Sequence, residues 1–268
     1  MKKHRLIWFF VLAFILSWYP WVIALARGKT SGPNPLGPLV AAIIVTAVTQ
    51  RWKGVKGLLS RIVRWRVGLR WYAAVLLLPL AVNLVAASII LATGATLVDP
   101  LQLPSAGDVV ERFIFIFLFI GLGEETGWRG FAIQHLQEKR SALRSSLILA
   151  PIWALWHLPL MGNEFPLSIL PAFIISVLPA TLLLTWVYNR TNGSVLLPML
   201  FHSTVNTIGS GLIFPFFTGK SLVALWWIYA GVWLLLSIAI VMISGLEPKT
   251  ASDDRVKAGQ KLLVTASL

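Results

Sequence analysis

The chain contains no cysteine. That excludes disulfide staples and thiolate metal sites, and it leaves histidine and carboxylate as the strong ligand types for a metal. Acidic residues are scarce, ten Asp and Glu against 23 Lys and Arg, and the four charged residue types together make up only 12% of 268 residues. What fills the space is apolar: 57% of residues are hydrophobic, with a mean hydropathy of +0.79. One soluble core does not need so much. The composition reads as an all-α, polytopic membrane protein. No repeat of fixed period interrupts it, so residues 1–246 read as one integral membrane domain. The polar stretch EPKTASDDRVKAGQKLLVTASL at 247–268 reads as a cytosolic tail with the composition of a partly disordered segment.

A helix needs about 20 apolar residues to cross the hydrocarbon. Windows of that kind fall near 6–26, 36–50, 71–95, 109–136, 147–161, 167–188, 195–217 and 222–243, about eight spans, two of them short. The first follows Lys2, Lys3 and Arg5, but its apolar stretch of about 20 residues exceeds a signal peptide's core and carries three tryptophans and a proline. It reads as an uncleaved span.

The net charge of +13 raises the question of nucleic acid, but its distribution answers otherwise. Three basic residues precede the first span, seven lie in RWKGVKGLLSRIVRWRVGLR at 51–70, three in QEKRSALR, one at Arg190 and four in the tail, which is 18 of the 23. The alternate loops hold Arg27, Lys29 and Lys220 beside Asp99, Asp108 and Glu164. By the positive-inside rule this is a topology signal: a multi-pass protein of the cell membrane, both termini cytosolic, with lipid and not nucleic acid as its charged partner. The 51–70 segment interleaves its charges with Leu, Ile, Val and Trp and suits a helix lying on anionic lipid.

Against this background GLGEETGWRG, at 121–130, stands out because two glutamates and an arginine interrupt an apolar span. On the translocon scale three such charges carry a gross penalty on the order of 8 to 10 kcal/mol. On a helix Glu125 and Arg129 stand at i and i+4 and can pair, whereas Glu124 is turned about 100° away and lacks that partner. WALWH places His157 in a later span, and FHSTVN places His202 and Asn206 one turn apart on another. Counted from the nearest cytosolic basic residue, Glu124, His157 and His202 are 15, 13 and 12 residues in, roughly 18 to 22 Å if helical. All three can meet in one plane. A buried ion-pair network that only holds helices together is the bland alternative.

The ordered set of Glu124, Glu125 and Arg129 as EExxxR, Trp153 and His157 as aromatic-xxxH, and His202 and Asn206 as HxxxN resembles the CPBP intramembrane proteases, also called the Abi or CAAX-protease family. The resemblance covers about residues 110–217. It departs at Trp153, where the family more often has Phe, a change expected to touch only the packing beside His157. It implies hydrolysis of membrane-associated, C-terminally lipidated or leader peptides, or of membrane-anchored proteins. In those terms Glu124 is the general base, His157 orients the water, His202 and Asn206 donate to the oxyanion, and Arg129 holds Glu125. Alternatively Glu124, His157 and His202 bind zinc with an open water position; a metal-free mechanism uses the same residues.

Other classes also fit parts of the pattern. A proton-coupled transporter would use the same Glu and His as a relay, but the first three spans hold no matching set, so no inverted repeat is visible. Haem ligation by His157 and His202 leaves the glutamates unexplained. A non-catalytic scaffold or immunity protein needs no chemistry at all. His135 is expected at the interface without a role, Trp18, Tyr19, Trp21, Trp226 and Trp227 as interface anchors, and the prolines at 151, 159, 171 and 179 as helix kinks or ends.

Overall fold

Apolar runs of bilayer length make long helices. The computed structural model describes residues 4–98 and 102–248, and among them it contains helices and no strand. Eight rods follow in order: α1 (Arg5–Ala26), α2 (Gly37–Ile62), α3 (Leu69–Ala92), α4, α5 (Ala142–Trp156), α6 (Leu170–Arg190), α7 (Leu196–Ile208) and α8 (Gly219–Ser244). The rod α4 is continuous but composite, joining Ala106–Phe115, Ile116–Gly121, Leu122–Gly127, Trp128–Ile133 and Gln134–Leu136. The expected all-α bundle is the observed one. From residue 249 on, the polar tail lies outside the described residues.

Four of the rods, α1, α3, α6 and α8, have by themselves the length and hydropathy to cross a membrane. The other four do not, for separate reasons. The 15 residues of α5 reach only about 22 Å, and α7 has 13 before it passes into the π-helical turn Gly209–Ile213. Charge interrupts α4, and α2 turns at Arg51, where φ is 58° and ψ −164°. Beyond that turn the expected surface helix is present as the second half of α2: Val55 and Leu58 are buried while Arg51, Trp52, Lys53 and Lys56 are exposed. Elsewhere Ile15, Leu77, Leu84, Leu235 and Ile243 face outward, the apolar exterior that lipid tolerates and water does not.

Hydrogen bonds gather the basic segments at one end of the bundle. Arg5 pairs with Glu138, Arg61 donates to the Gly130 carbonyl at 2.9 Å and to Gln134, Arg64 to the Asn192 carbonyl, and Arg190 to the Gly245 carbonyl at 3.1 Å. At the other end the Val98 amide donates to the Phe216 carbonyl at 3.0 Å, tying the α3–α4 connection to the α7–α8 connection.

Two expected interface residues are instead interior. Trp226 is 4% exposed and packs on Phe214, its ring centroid 4.5 Å away; an indole in van der Waals contact on all sides has no reason to seek the headgroups. His135 is 6% exposed, because its Nδ1–H donates to the Phe131 carbonyl at 2.7 Å within α4 and its other nitrogen meets Gln50 at 3.3 Å.

Candidate active site

The glycines of GLGEETGWRG set the position of its charges. A Cβ at Gly123 would overlap the Pro35 carbonyl oxygen, and one at Gly127 would overlap Pro38. With hydrogen there, α4 packs directly on the start of α2, as small residues allow in membrane bundles. π-helical turns at Ile116–Gly121 and Trp128–Ile133 flank the segment; each accommodates an extra residue and re-aims the side chains that follow. Glu124 and Glu125 are thereby buried, at 3% and 0% exposure, on faces that α2 does not cover.

The adjacent carboxylates divide. Oε1 of Glu125 accepts from Arg129 Nη1 at 2.9 Å and from His202 Nδ1–H at 2.7 Å, so one oxygen joins α4 to α7. The Arg129 guanidinium carbon lies 4.2 Å from the centre of the Trp153 ring, within cation–π range. Glu125 was expected to serve Arg129 alone. Its bond to His202 also fixes that imidazole, since an Nδ1 that donates to a carboxylate leaves Nε2 for the other side of the ring.

Glu124 is not without a partner, as the helical geometry alone suggests. The Trp153 indole N–H donates to its Oε2 at 2.8 Å. One turn later α5 ends: His157 is its C-cap, and Pro159 cannot donate the next helical hydrogen bond. The His157 Nδ1–H donates back to the Trp153 carbonyl at 2.7 Å, which turns Nε2 toward Glu124 Oε2, 3.9 Å away. That separation is too long for a direct hydrogen bond and short enough for both atoms to contact one water.

Glu124, His157, His202 and the half-buried Asn206 all line a cavity of about 850 Å³ with aromatic walls that include Phe173, Trp226 and Tyr229. Glu125 and Arg129 do not line it; they stand behind His202 and Trp153. The six site residues thus fall into four that face the cavity and two that brace them. Among the described residues no three of His, Asp and Glu are placed to hold a metal ion. His202 gives Nδ1 to Glu125 and keeps Nε2, as metal-bound histidines do, and Glu124 keeps a second oxygen beside the one that accepts from Trp153, so these residues would suit zinc as well as a bare water.

Trp153 is the residue that motif reading undervalued. It was expected to affect packing only, yet its ring carries Arg129, its N–H holds Glu124, and its carbonyl aligns His157. The signal was its spacing, four residues before His157; what the sequence does not reveal is which atom of the indole meets the carboxylate.

A sequence model described as type II CAAX prenyl endopeptidase Rce1-like matches residues 107–208, the stretch that holds all six residues. A protein named CAAX prenyl protease 2, from Methanococcus maripaludis, is 26% identical over 187 residues, covering 65% of this chain and 69% of its own. Both matches support a resemblance to the CPBP, or CAAX-protease, family over this stretch, which includes the buried charges of α4. With four helices of spanning length, they support an integral membrane protein.

Proposed function

We propose that the protein is an intramembrane endopeptidase that hydrolyses a peptide bond with a water activated between Glu124 and His157. The observation that carries this is the 3.9 Å gap between Glu124 Oε2 and His157 Nε2, both atoms belonging to residues that line the cavity. Glu124 takes a proton from the water as the oxygen attacks the carbonyl carbon, then gives it to the departing amine. His202, held as the imidazolium by the Glu125 carboxylate at Nδ1, donates from Nε2–H to the oxyanion, and Asn206 donates from its amide. No step passes through a metal. The substrates we propose are membrane-associated or C-terminally lipidated peptides, or leader peptides; the family resemblance supports the lipidated class, and the aromatic walls suit an apolar moiety beside the scissile bond.

The bundle alone accounts for a scaffold or a transporter less well. A scaffold gains nothing from aiming a carboxylate and an imidazole into a cavity, and a proton relay needs a second set of ionisable groups leading away from the first. Mass spectrometry of new peptide termini in membranes carrying the wild type or Glu124→Gln tests the proposal. Termini present only with the wild type support it; identical termini in both contradict it.

A further inference from the structure

Beyond the turn at Arg51, the second half of α2 joins the two rods that carry Glu125 and His202. The Arg61 side chain donates to the Gly130 carbonyl at 2.9 Å, inside the π-helical turn Trp128–Ile133 and one residue past Arg129. The Arg61 carbonyl accepts the Val195 N–H at 2.9 Å, and Val195 is the N-cap of α7. Next to it, the Ser194 hydroxyl donates to the Arg64 carbonyl at 2.7 Å. Leu58 is buried against Gly130, where a Cβ would come within 3.1 Å of its side chain. One segment thus fastens α4 five residues from Glu125 and α7 seven residues from His202.

The outer side of this segment is unbalanced. Arg51, Lys53, Lys56, Arg66 and Arg70 are exposed, no acidic residue occurs between 51 and 70, and among the described residues none of the five forms an ion pair. Like charges so close repel one another and oppose the seating of the segment. Between them Trp52 and Trp65 are 72% and 61% exposed, and indoles of that kind settle at headgroup level. We propose that residues 51–70 bind anionic phospholipid headgroups, and that the bound lipid keeps the segment seated on α4 and α7. Cations interleaved with tryptophan, beside rods of bilayer length, meet their counter-charge at an anionic membrane surface. The chain's own tail is a poorer occupant, since 247–268 holds four basic residues against three acidic. A lipid that prefers the seated segment also favours the arrangement in which Glu125 meets His202. A rise of cleavage with anionic lipid therefore rests on the proposed endopeptidase activity; the lipid surface itself does not.

Purified protein in neutral detergent is offered equal amounts of phosphatidylglycerol and phosphatidylcholine, and the retained lipid is counted by native mass spectrometry. Preferential retention of phosphatidylglycerol is the expected result. A variant combining Lys53→Gln, Lys56→Gln and Arg66→Gln is expected to lose about fivefold in affinity per charge removed, whereas Lys220→Gln, exposed at the opposite end, changes nothing. In lipid discs, hydrogen exchange of peptides containing Val195, whose amide the Arg61 carbonyl protects, is expected to slow as phosphatidylglycerol replaces phosphatidylcholine, and to slow less in the triple variant. Equal retention of the two lipids, or exchange at Val195 that phosphatidylglycerol leaves unchanged, overturns the proposal. Slowing by soluble polyglutamate alone assigns the surface to an acidic protein and overturns it too. Neither readout needs turnover: a chain that retains phosphatidylglycerol yet fails the Glu124→Gln comparison keeps this surface and loses the endopeptidase reading.

Discussion

Two histidines make the same local bond and differ in everything else. His135, near the basic end of α4, and His157, at the end of α5, each donate Nδ1–H to the carbonyl four residues back at 2.7 Å. For His135 the remaining nitrogen meets the Gln50 amide; around it Arg61 bonds to Gly130 and Gln134, and Gln137 and Asn189 exchange hydrogen bonds. For His157 the remaining nitrogen faces a carboxylate across a gap. Near it Glu125 Oε2 and two Arg129 nitrogens are buried without a partner among the described residues. The polar groups around His135 satisfy one another and hold helices together. Those in the middle keep hydrogen-bonding capacity unspent, which costs stability and is what a reaction can use.

The largest expected effect breaks that comparison at its sharpest point. Glu124→Gln removes the base, a contribution on the order of 10² to 10⁴ in rate, and is expected to leave membrane abundance unchanged; His135→Gln is expected to leave turnover intact. Asn206→Ala removes one oxyanion donor and is expected to lower kcat by about 10² to 10³, measured on the same substrate. For stability the pair to compare is Arg129→Ala with Arg5→Ala. Stranding the Glu125 carboxylate in the interior costs about 3 to 5 kcal/mol, whereas the exposed Arg5–Glu138 pair is worth less than about 1 kcal/mol, so a thermal or denaturant melt should separate the two variants clearly.

Trp153→Phe sharpens the account further. The ring stays to carry Arg129, but the hydrogen bond to Glu124 is lost. A bond to a charged group is worth about 1.5 to 3 kcal/mol, or roughly 10- to 100-fold in kcat if it operates in the transition state. KM unchanged with kcat reduced is the expected signature; equal loss of folding and activity points to packing instead. Chelation is expected to do least, since the proposed steps use no metal. Activity that falls with a chelator and returns with zinc contradicts the metal-free reading.

Much of this arrangement was legible beforehand. Apolar runs mark the rods, basic loops mark one end, and the three motifs mark residues that the bundle brings to one cavity. What was not legible depends on contacts between rods. Gln50 gives His135 an interior partner, and Phe214 and its neighbours draw Trp226 inward. The π-helical turns of α4 and the turn at Arg51 inside α2 carry no local sequence signal. Periodicity correctly pairs Glu125 with Arg129, yet it cannot say that the same oxygen also holds His202.

The central claim is that Glu124 activates a water for peptide hydrolysis, and isotope labelling tests it most directly. Purified protein in liposomes is given a membrane-anchored peptide spanning a cleavage site found by terminal mass spectrometry, in water enriched in oxygen-18. The account predicts a heavy oxygen in the new carboxyl terminus with the wild type and almost no product with Glu124→Gln. Product formed as fast by Glu124→Gln as by the wild type contradicts it.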